Sequence, residues 1–402
     1  MKLTLTVSSK STLLDKDRGV AYNPTVRKTY EFRIYPNQFQ RRKLESQLEV
    51  CRTVYNKTLE LRKEAWEKHK THLSLFDTHK ILGEWKNQFP ELTHAHAQAL
   101  QKAQERVDLA FKAFFRRVKA GQNPGYPRFK PAHRYVSMTY PQPPNDGGVH
   151  GNKVQIPKVG KVKISLHRPL EGEIKTVTVK RNRTGKWFVY FSVILEDSGL
   201  NSGDAATGID FGVSSLATLS SSESFKSPRE YKSQESTLSK YQRRMSKAEG
   251  PRKEKLRLVI SHIWERIENR RSDLAFKLAK QIVDQYDIIC IEDLEAGKLR
   301  ETAEWKSLRK AISDTPIGSL KQKLIFKAEE AGKRVALVDP AYTTQRCSRC
   351  GVTAPKELSE RTHNCKICGL VLGRDHNAAI NILALGLQGL GIQSLESNGL
   401  TS

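Results

Sequence analysis

The 402-residue sequence has no apolar run near the ~18 residues a membrane span needs, and its opening MKLTLTVSSKSTLLDKDRG lacks the hydrophobic segment of a secretory signal. A soluble, cytoplasmic protein without a membrane partner is expected. Cysteine is scarce: of six, Cys51 and Cys290 sit alone in apolar surroundings and read as small buried hydrophobes. A chain this long needs no disulfide framework, so the other four, gathered between Cys347 and Cys368, point to a metal in a reducing compartment. There is no internal repeat, no long low-complexity tract, and no familiar base-reading module such as a zinc finger or homeodomain helix. Acidic residues are also short, Asp+Glu 43 against Lys+Arg 69, a net charge of +26. A polyanion is the expected partner.

What is present suggests two to four units at roughly 100–200 residues each. Residues 1–27 form a Ser/Lys/Asp-rich leader without periodicity. In KTYEFRIYP, Tyr30, Phe32 and Ile34 alternate with charged residues as in a half-buried strand stopped by Pro36. From Asn37 to about Lys119 apolar residues recur at three and four (Leu44, Leu48, Cys51, Val54, Leu59; then Leu100, Val107, Phe111), the pattern of a helical bundle. That region ends in FFRRVKAGQNPGYPRFK, where basic and aromatic residues interleave in a way that suits phosphate contact and base stacking.

Residues 131–196 turn β-like, with four apolar-alternating segments separated by turn residues, and a small barrel or curled sheet is expected. After a linker, an α/β region starts near residue 206. ATGIDFGVSSLATLS reads as a strand hairpin, 233–285 as mainly helical, YDIICIEDL and KRVALVDP as buried strands, and RDHNAAINILALG as a last helix.

The strongest local signal is Cys347-x2-Cys350 followed by Cys365-x2-Cys368, with glycine after each pair. Two such knuckles place four thiolates tetrahedrally, and the glycines permit the turn each knuckle needs, which predicts one structural Zn²⁺. All four positions are filled by protein, so this zinc is not expected to be catalytic, and neither His363 nor His376 is needed as a ligand. A second signal is a set of acids: Asp210 in a strand, Glu292 at the end of another and Asp375 opening a helix. Converging, they would hold two Mg²⁺ ions, which together activate a water and stabilise the leaving oxygen of a phosphodiester. By spacing alone, Asp293 and Glu295 compete with Glu292.

The segments GIDFGVSSLATLS, IICIEDL, TTQRCSRCG and GRDHNAAINI resemble the RuvC-type nuclease of TnpB proteins, and YEFRIYPNQFQRRKLESQLEVCRTVYNKTLE and GYPRFKPAHRYVSMTY resemble the same family's front half. The likeness runs from about Lys28 to about Gly386. It implies an α+β multidomain protein: a β-barrel wedge domain (28–36 and 131–196), an inserted helical recognition domain (37–130), and an RNase H-like nuclease (206–342 and 372–386) with an embedded zinc ribbon (343–371); the leader and a C-terminal tail (387–402) lie outside it. It also implies cleavage of double-stranded DNA directed by a guide RNA from the transposon end, beside a short transposon-adjacent motif. The family's metal-binding carboxylates fall on Asp210, Glu292 and Asp375, its strand-end Glu selecting Glu292 over its neighbours. Gln101, Arg128, Lys130 and Thr139 become candidates for nucleic-acid contact, with sequence choice left to guide pairing. A compact type V CRISPR-like effector, a DNA-binding regulator and a strand-joining transposase are the competing readings.

Overall fold

The alternation in KTYEFRIY becomes strand β1 (Val26–Tyr35), whose Tyr30, Phe32 and Ile34 are buried. The computed structural model describes residues 26–392 except 144–146, 196–198, 200–202, 295–299, 302–304 and 357–359, together with the short antiparallel pair Leu13–Leu14 and Ala21–Tyr22. No helix among the described residues is long and apolar enough to cross a membrane. The chain divides into two compact units, in the main Arg27–Leu195 and Glu196–Ser402.

In the first unit, Asn37 and Gln40 exchange side-chain to backbone hydrogen bonds at 2.8 and 3.1 Å, a capping box that starts helix α1 (Gln38–His69). Ser74 and Asp77 do the same for α2 (Leu75–Gln88), and α3 (Ala97–Lys119) follows. Arg62 of α1 pairs with Asp108 of α3 at 3.1 Å, out of solvent. The β segment supplies β2 (Ser137–Tyr140), β3 (Val149–His150), β4 (Lys153–Ile156), β5 (Gly160–Ser165), β6 (Glu173–Arg181) and β7 (Trp187–Leu195). With β1 they form one seven-stranded sheet in the order β2-β6-β7-β1-β5-β4-β3. Helices and sheet share a single apolar core: Leu48 and Leu100 belong to the same buried cluster as Phe32, Met138 and Phe191.

The second unit is built on a five-stranded sheet. Strands β8 (Ala206–Asp210), β9 (Ser215–Leu219) and β10 (Ser224–Lys226) run as an antiparallel meander. Helices α4 (Glu230–Ser246) and α5 (Gly250–Gln285) then lead to β11 (Ile288–Glu292), parallel to β8. Next come α6 (Lys306–Asp314), α7 (Ile317–Glu330) and β12 (Arg334–Val338), parallel to β11, giving the order β10-β9-β8-β11-β12. A small antiparallel pair, β13 (Thr362–Asn364) and β14 (Val371–Gly373), runs directly into α8 (Arg374–Gly389).

Every residue of β11 is buried, the mark of a central strand covered on both faces. Because side chains alternate, its two faces separate cleanly. Ile289 and Ile291 join Ile209 in a core with α5 and α7, while Ile288 and Cys290 join Ile382 and Leu387 of α8 on the other side. Gly208 and Gly386 let α8 lie close: a Cβ on Gly208 would stand 2.1 Å from the Ala379 carbonyl oxygen, and one on Gly386 2.3 Å from Cys290 Sγ.

Candidate active site and metal centre

Asp210 ends β8 and Glu292 ends β11, one register step beyond the Ile209–Ile291 pair. Counted by two from Gly208 and from Cys290, both carboxylates face the side of the sheet that α8 covers. Asp375 stands in the first turn of that helix. Alternation and one closely seated helix thus bring three distant acids to one end of the sheet.

Asp210 and Glu292 are 8% and 4% exposed. Burial pushes the Asp210 carboxyl up to about 8, helped by the negative charges of Glu292 and Asp375 and opposed by Arg374. Burial also raises Glu292, against a hydrogen bond donated by Thr343 Oγ1 at 2.5 Å and the charge of Lys321. Among the described residues, no side chain hydrogen-bonds to or pairs with the Asp210 carboxylate. Arg374, which pairs with Asp375 at 3.5 Å, and Lys321 offset part of this charge; a divalent cation would relieve the rest, and carboxylate oxygens are the donors hard cations take. The three are less tightly drawn together than the cysteines, which are the group of potential ligands within 4.8 Å of one another among the described residues. Asp293 is exposed and held by Lys321 Nζ at 2.7 Å. Glu295 lies outside the described residues.

The four thiols of Cys347, Cys350, Cys365 and Cys368 form a compact cluster. Sulfur to sulfur distances of 3.6 Å (Cys347 to Cys368) and 3.5 Å (Cys350 to Cys365) approach the roughly 3.8 Å edge of a tetrahedron with metal–sulfur bonds of about 2.3 Å. This cluster can hold a metal such as zinc. Gly351 and Gly369 adopt positive φ, 75° and 71°, and donate back to the Cys347 and Cys365 carbonyls at 3.0 and 2.9 Å, closing each knuckle. Backbone N–H groups of Cys368 and Ile367 aimed at Cys365 bring that thiol down to about 6, while, against the Val352 backbone N–H, desolvation and hydrogen bonding within the thiol cluster push Cys350 up to about 12, so without a metal the cluster shares its protons unevenly. His376 is engaged with the Ser220 carbonyl at 3.1 Å, and His363 with Lys356.

Three residues that sequence reasoning passed over join the two clusters. Asn377 accepts from Ser348 N at 3.0 Å and donates to the Arg346 carbonyl at 2.8 Å. Asn381 donates to the carbonyls of Thr343 and Arg346 at 2.9 and 2.7 Å. Thr343, on the same strap, holds Glu292. The first knuckle is therefore bolted to the helix that bears Asp375 and, through Thr343, to a second carboxylate. The signal was available in NAAIN, two amides four residues apart on one face of a helix.

In the first unit, Gln101 and Arg128 are exposed. Lys130 is half-buried: its backbone exchanges hydrogen bonds with Asn56 at 2.9 and 3.2 Å, and its ammonium lies 4.6 Å from the Tyr55 ring centroid. Thr139 Oγ1 is engaged by Thr178 Oγ1 at 2.9 Å and Arg106 Nη2 at 3.3 Å.

Three family models match the chain: a helix-turn-helix domain over residues 25–71, a probable transposase over 192–303, and a Cas12f1-like TNB domain over 318–382. The described part of the first stretch is one strand and one 32-residue helix. A putative RNA-guided DNA endonuclease of Streptomyces pristinaespiralis is 33% identical over 376 residues, 90% of each chain. The putative RNA-guided DNA endonuclease InsQ of Escherichia coli K12 is 28% identical over 379 residues, 89% of this chain and 92% of its own. Among solved structures, a Cas12f1-sgRNA-target DNA complex aligns with 89% of this chain and 99% of its own at 18% identity and a TM-score of 0.35. Fold and site define a mixed α/β, multidomain protein with a four-thiol metal cluster beside buried carboxylates. Within that class, the chain belongs to the TnpB family.

Proposed function

We propose that this protein is a transposon-encoded, RNA-guided DNA endonuclease, which takes a transposon-derived guide RNA and cleaves double-stranded DNA beside a short adjacent motif. The observation that carries the reading is the convergence of Asp210, Glu292 and Asp375 at one end of the sheet, with Asp210 raised by burial and by both partners. Meander, parallel strands and the α8 cover support an RNase H-like assignment for 206–342 and 372–386, with 343–371 as its zinc ribbon. The sheet and helices of the first unit would be the wedge domain (28–36 and 131–196) and the recognition domain (37–130), offering Gln101 and Arg128 to nucleic acid.

Asp210, Glu292 and Asp375 would hold two Mg²⁺ ions, which when bound supply a Lewis acid and an activated water for phosphodiester hydrolysis. The chain's own part is positional. Thr343 fixes one oxygen of Glu292, leaving the other for a ligand. Gly208 and Gly386 set the depth at which α8 presents Asp375.

The test supplies the same protein with two guides and two matching plasmids that carry the same adjacent motif. Cleavage is expected to follow the guide. Cutting that ignores the guide, or proceeds equally well without RNA, would replace this reading with an unguided nuclease. Joined rather than hydrolysed ends would point to the strand-transfer chemistry that the transposase description implies.

A further inference from the structure

A cavity of about 380 Å³ opens between α4, α5 and α6, on helices that the carboxylate cluster does not use. Its floor is a pair of stacked rings, Tyr231 and Trp264, with centroids 5.5 Å apart and planes at 22°. Trp264 is 38% exposed, so part of the indole remains open to a further ring. One wall is the face of α6 that carries Lys306, Arg309, Lys310 and Ser313, positions spaced by three and four along the helix.

The buried Asp314 braces this arrangement. No side chain caps α4 at Arg229; instead the Asp314 carboxylate accepts from Tyr231 N at 2.8 Å and Lys232 N at 3.0 Å, and it pairs with Arg271 of α5. One acid therefore ties together all three helices that line the cavity. Among the described residues it is also the one acid lining it, and with that charge spent inward the wall of α6 is predominantly cationic, although Lys310 also meets Glu235 and Arg309 is engaged as well.

An open aromatic floor beside a cationic wall has two complementary ligands in one molecule, a flat ring and its phosphate. Lipid headgroups and simple anions supply only the second. We infer that this cavity binds an unstacked nucleobase of a single-stranded polynucleotide, the base lying on Trp264 and Tyr231 and the flanking phosphates against Lys306, Arg309 and Lys310. The inference deepens the proposed function and rests on its polynucleotide partner, which is either the guide RNA or a separated DNA strand.

The full-length protein is irradiated with single-stranded RNA and, separately, DNA of the same sequence, each carrying 5-iodouracil, and the crosslinked tryptic peptides are sequenced. Crosslinks to the Trp264 or Tyr231 peptide are expected, and the arm in which they form names the source. Trp264→Ala should weaken binding of that polymer about tenfold, the scale of one lost stacking platform, while Trp264→Phe stays within about threefold. An abasic version of the polymer should not distinguish wild type from Trp264→Ala. If Trp264→Ala does not fold by circular dichroism, Lys306→Ala is read instead, with a loss that shrinks as salt rises. Crosslinks that form elsewhere but never at these peptides, or folded variants with unchanged affinity, would overturn the site. Guide-directed cleavage by the wild type in the same preparation separates that failure from failure of the proposed function.

Discussion

At the scale of single residues, burial and the neighbouring acids that raise the Asp210 carboxyl make a site whose charge a divalent cation would relieve. Asp210→Ala, Glu292→Ala or Asp375→Ala should abolish cutting, a loss of at least about 10³-fold, while binding of guide RNA and DNA is kept or slightly strengthened because a negative charge is gone. Full activity in any one variant, measured by plasmid cleavage, removes that residue from the metal site. These acids were legible because each lies in a recognisable segment. Thr343, Asn377 and Asn381 were not, since their partners lie 29 to 51 residues away along the chain. Of the candidates for nucleic-acid contact that the family resemblance supplies, Lys130 lies over a tyrosine ring and Thr139 faces another threonine across β2 and β6, contacts between residues far apart in sequence that periodicity does not report.

A second prediction belongs to Lys323 of α7, whose ammonium lies 4.6 Å from the Phe276 ring centroid and is pushed down by burial from 10.5 to about 8. Below about pH 8 the lysine is charged in both folded and unfolded chains, and the folded state carries the full cost of burying that charge. Between about 8 and 10.5 the folded chain releases the proton first, so stability rises with pH. Lys323→Met, similar in length and apolar, should raise the Tm at pH 7 by about 2–4 °C, with the gain fading toward pH 10.5. A lower Tm at pH 7 would mean that the ring contact and the hydrogen bond to Ser319 outweigh desolvation.

Among elements, the decisive one is α8, which carries Asp375, covers the sheet and grips the first knuckle through two asparagines. Stripping the metal with a chelator, or replacing all four cysteines by serine, should therefore impair cleavage indirectly, by loosening the segment that holds Thr343 and Asp375. Metal analysis should find one zinc per chain. Purified protein without zinc, or serine variants that cut normally, would overturn this. The strands and the major helices were readable from periodicity. The division of 233–285 into α4 and α5 was passed over, although Gly250-Pro251 and the run 249–255 without a large apolar side chain mark the break that the packed hairpin shows.

Over the whole molecule, the net charge of +26 is the feature that precedes any fold. It acts through phosphates, so the affinity of the guide-loaded protein should fall log-linearly with salt, with similar slopes for matched targets of unrelated sequence. Slopes that differ strongly between targets, measured by filter binding from about 50 to 200 mM salt, would show direct reading of bases beyond the adjacent motif. The helices and the sheet of the first unit were separable in sequence by period, yet they share one core, because periodicity reports which face is buried and not what covers it.

The direct passage from β14 into α8 has a consequence in time. A growing chain is delivered from its N-terminus at about 5–20 residues per second, so Cys368 is followed within roughly 1 to 4 seconds by the whole of α8. Asp210 and Glu292 will by then have waited through more than eighty further residues for their third partner. A truncated product that stops before Asp375 is expected to lack nuclease activity, whatever else it binds, because the third of the three acids is missing. On the proposed assignment, the order of synthesis would withhold cutting until the last of the three acids has been added.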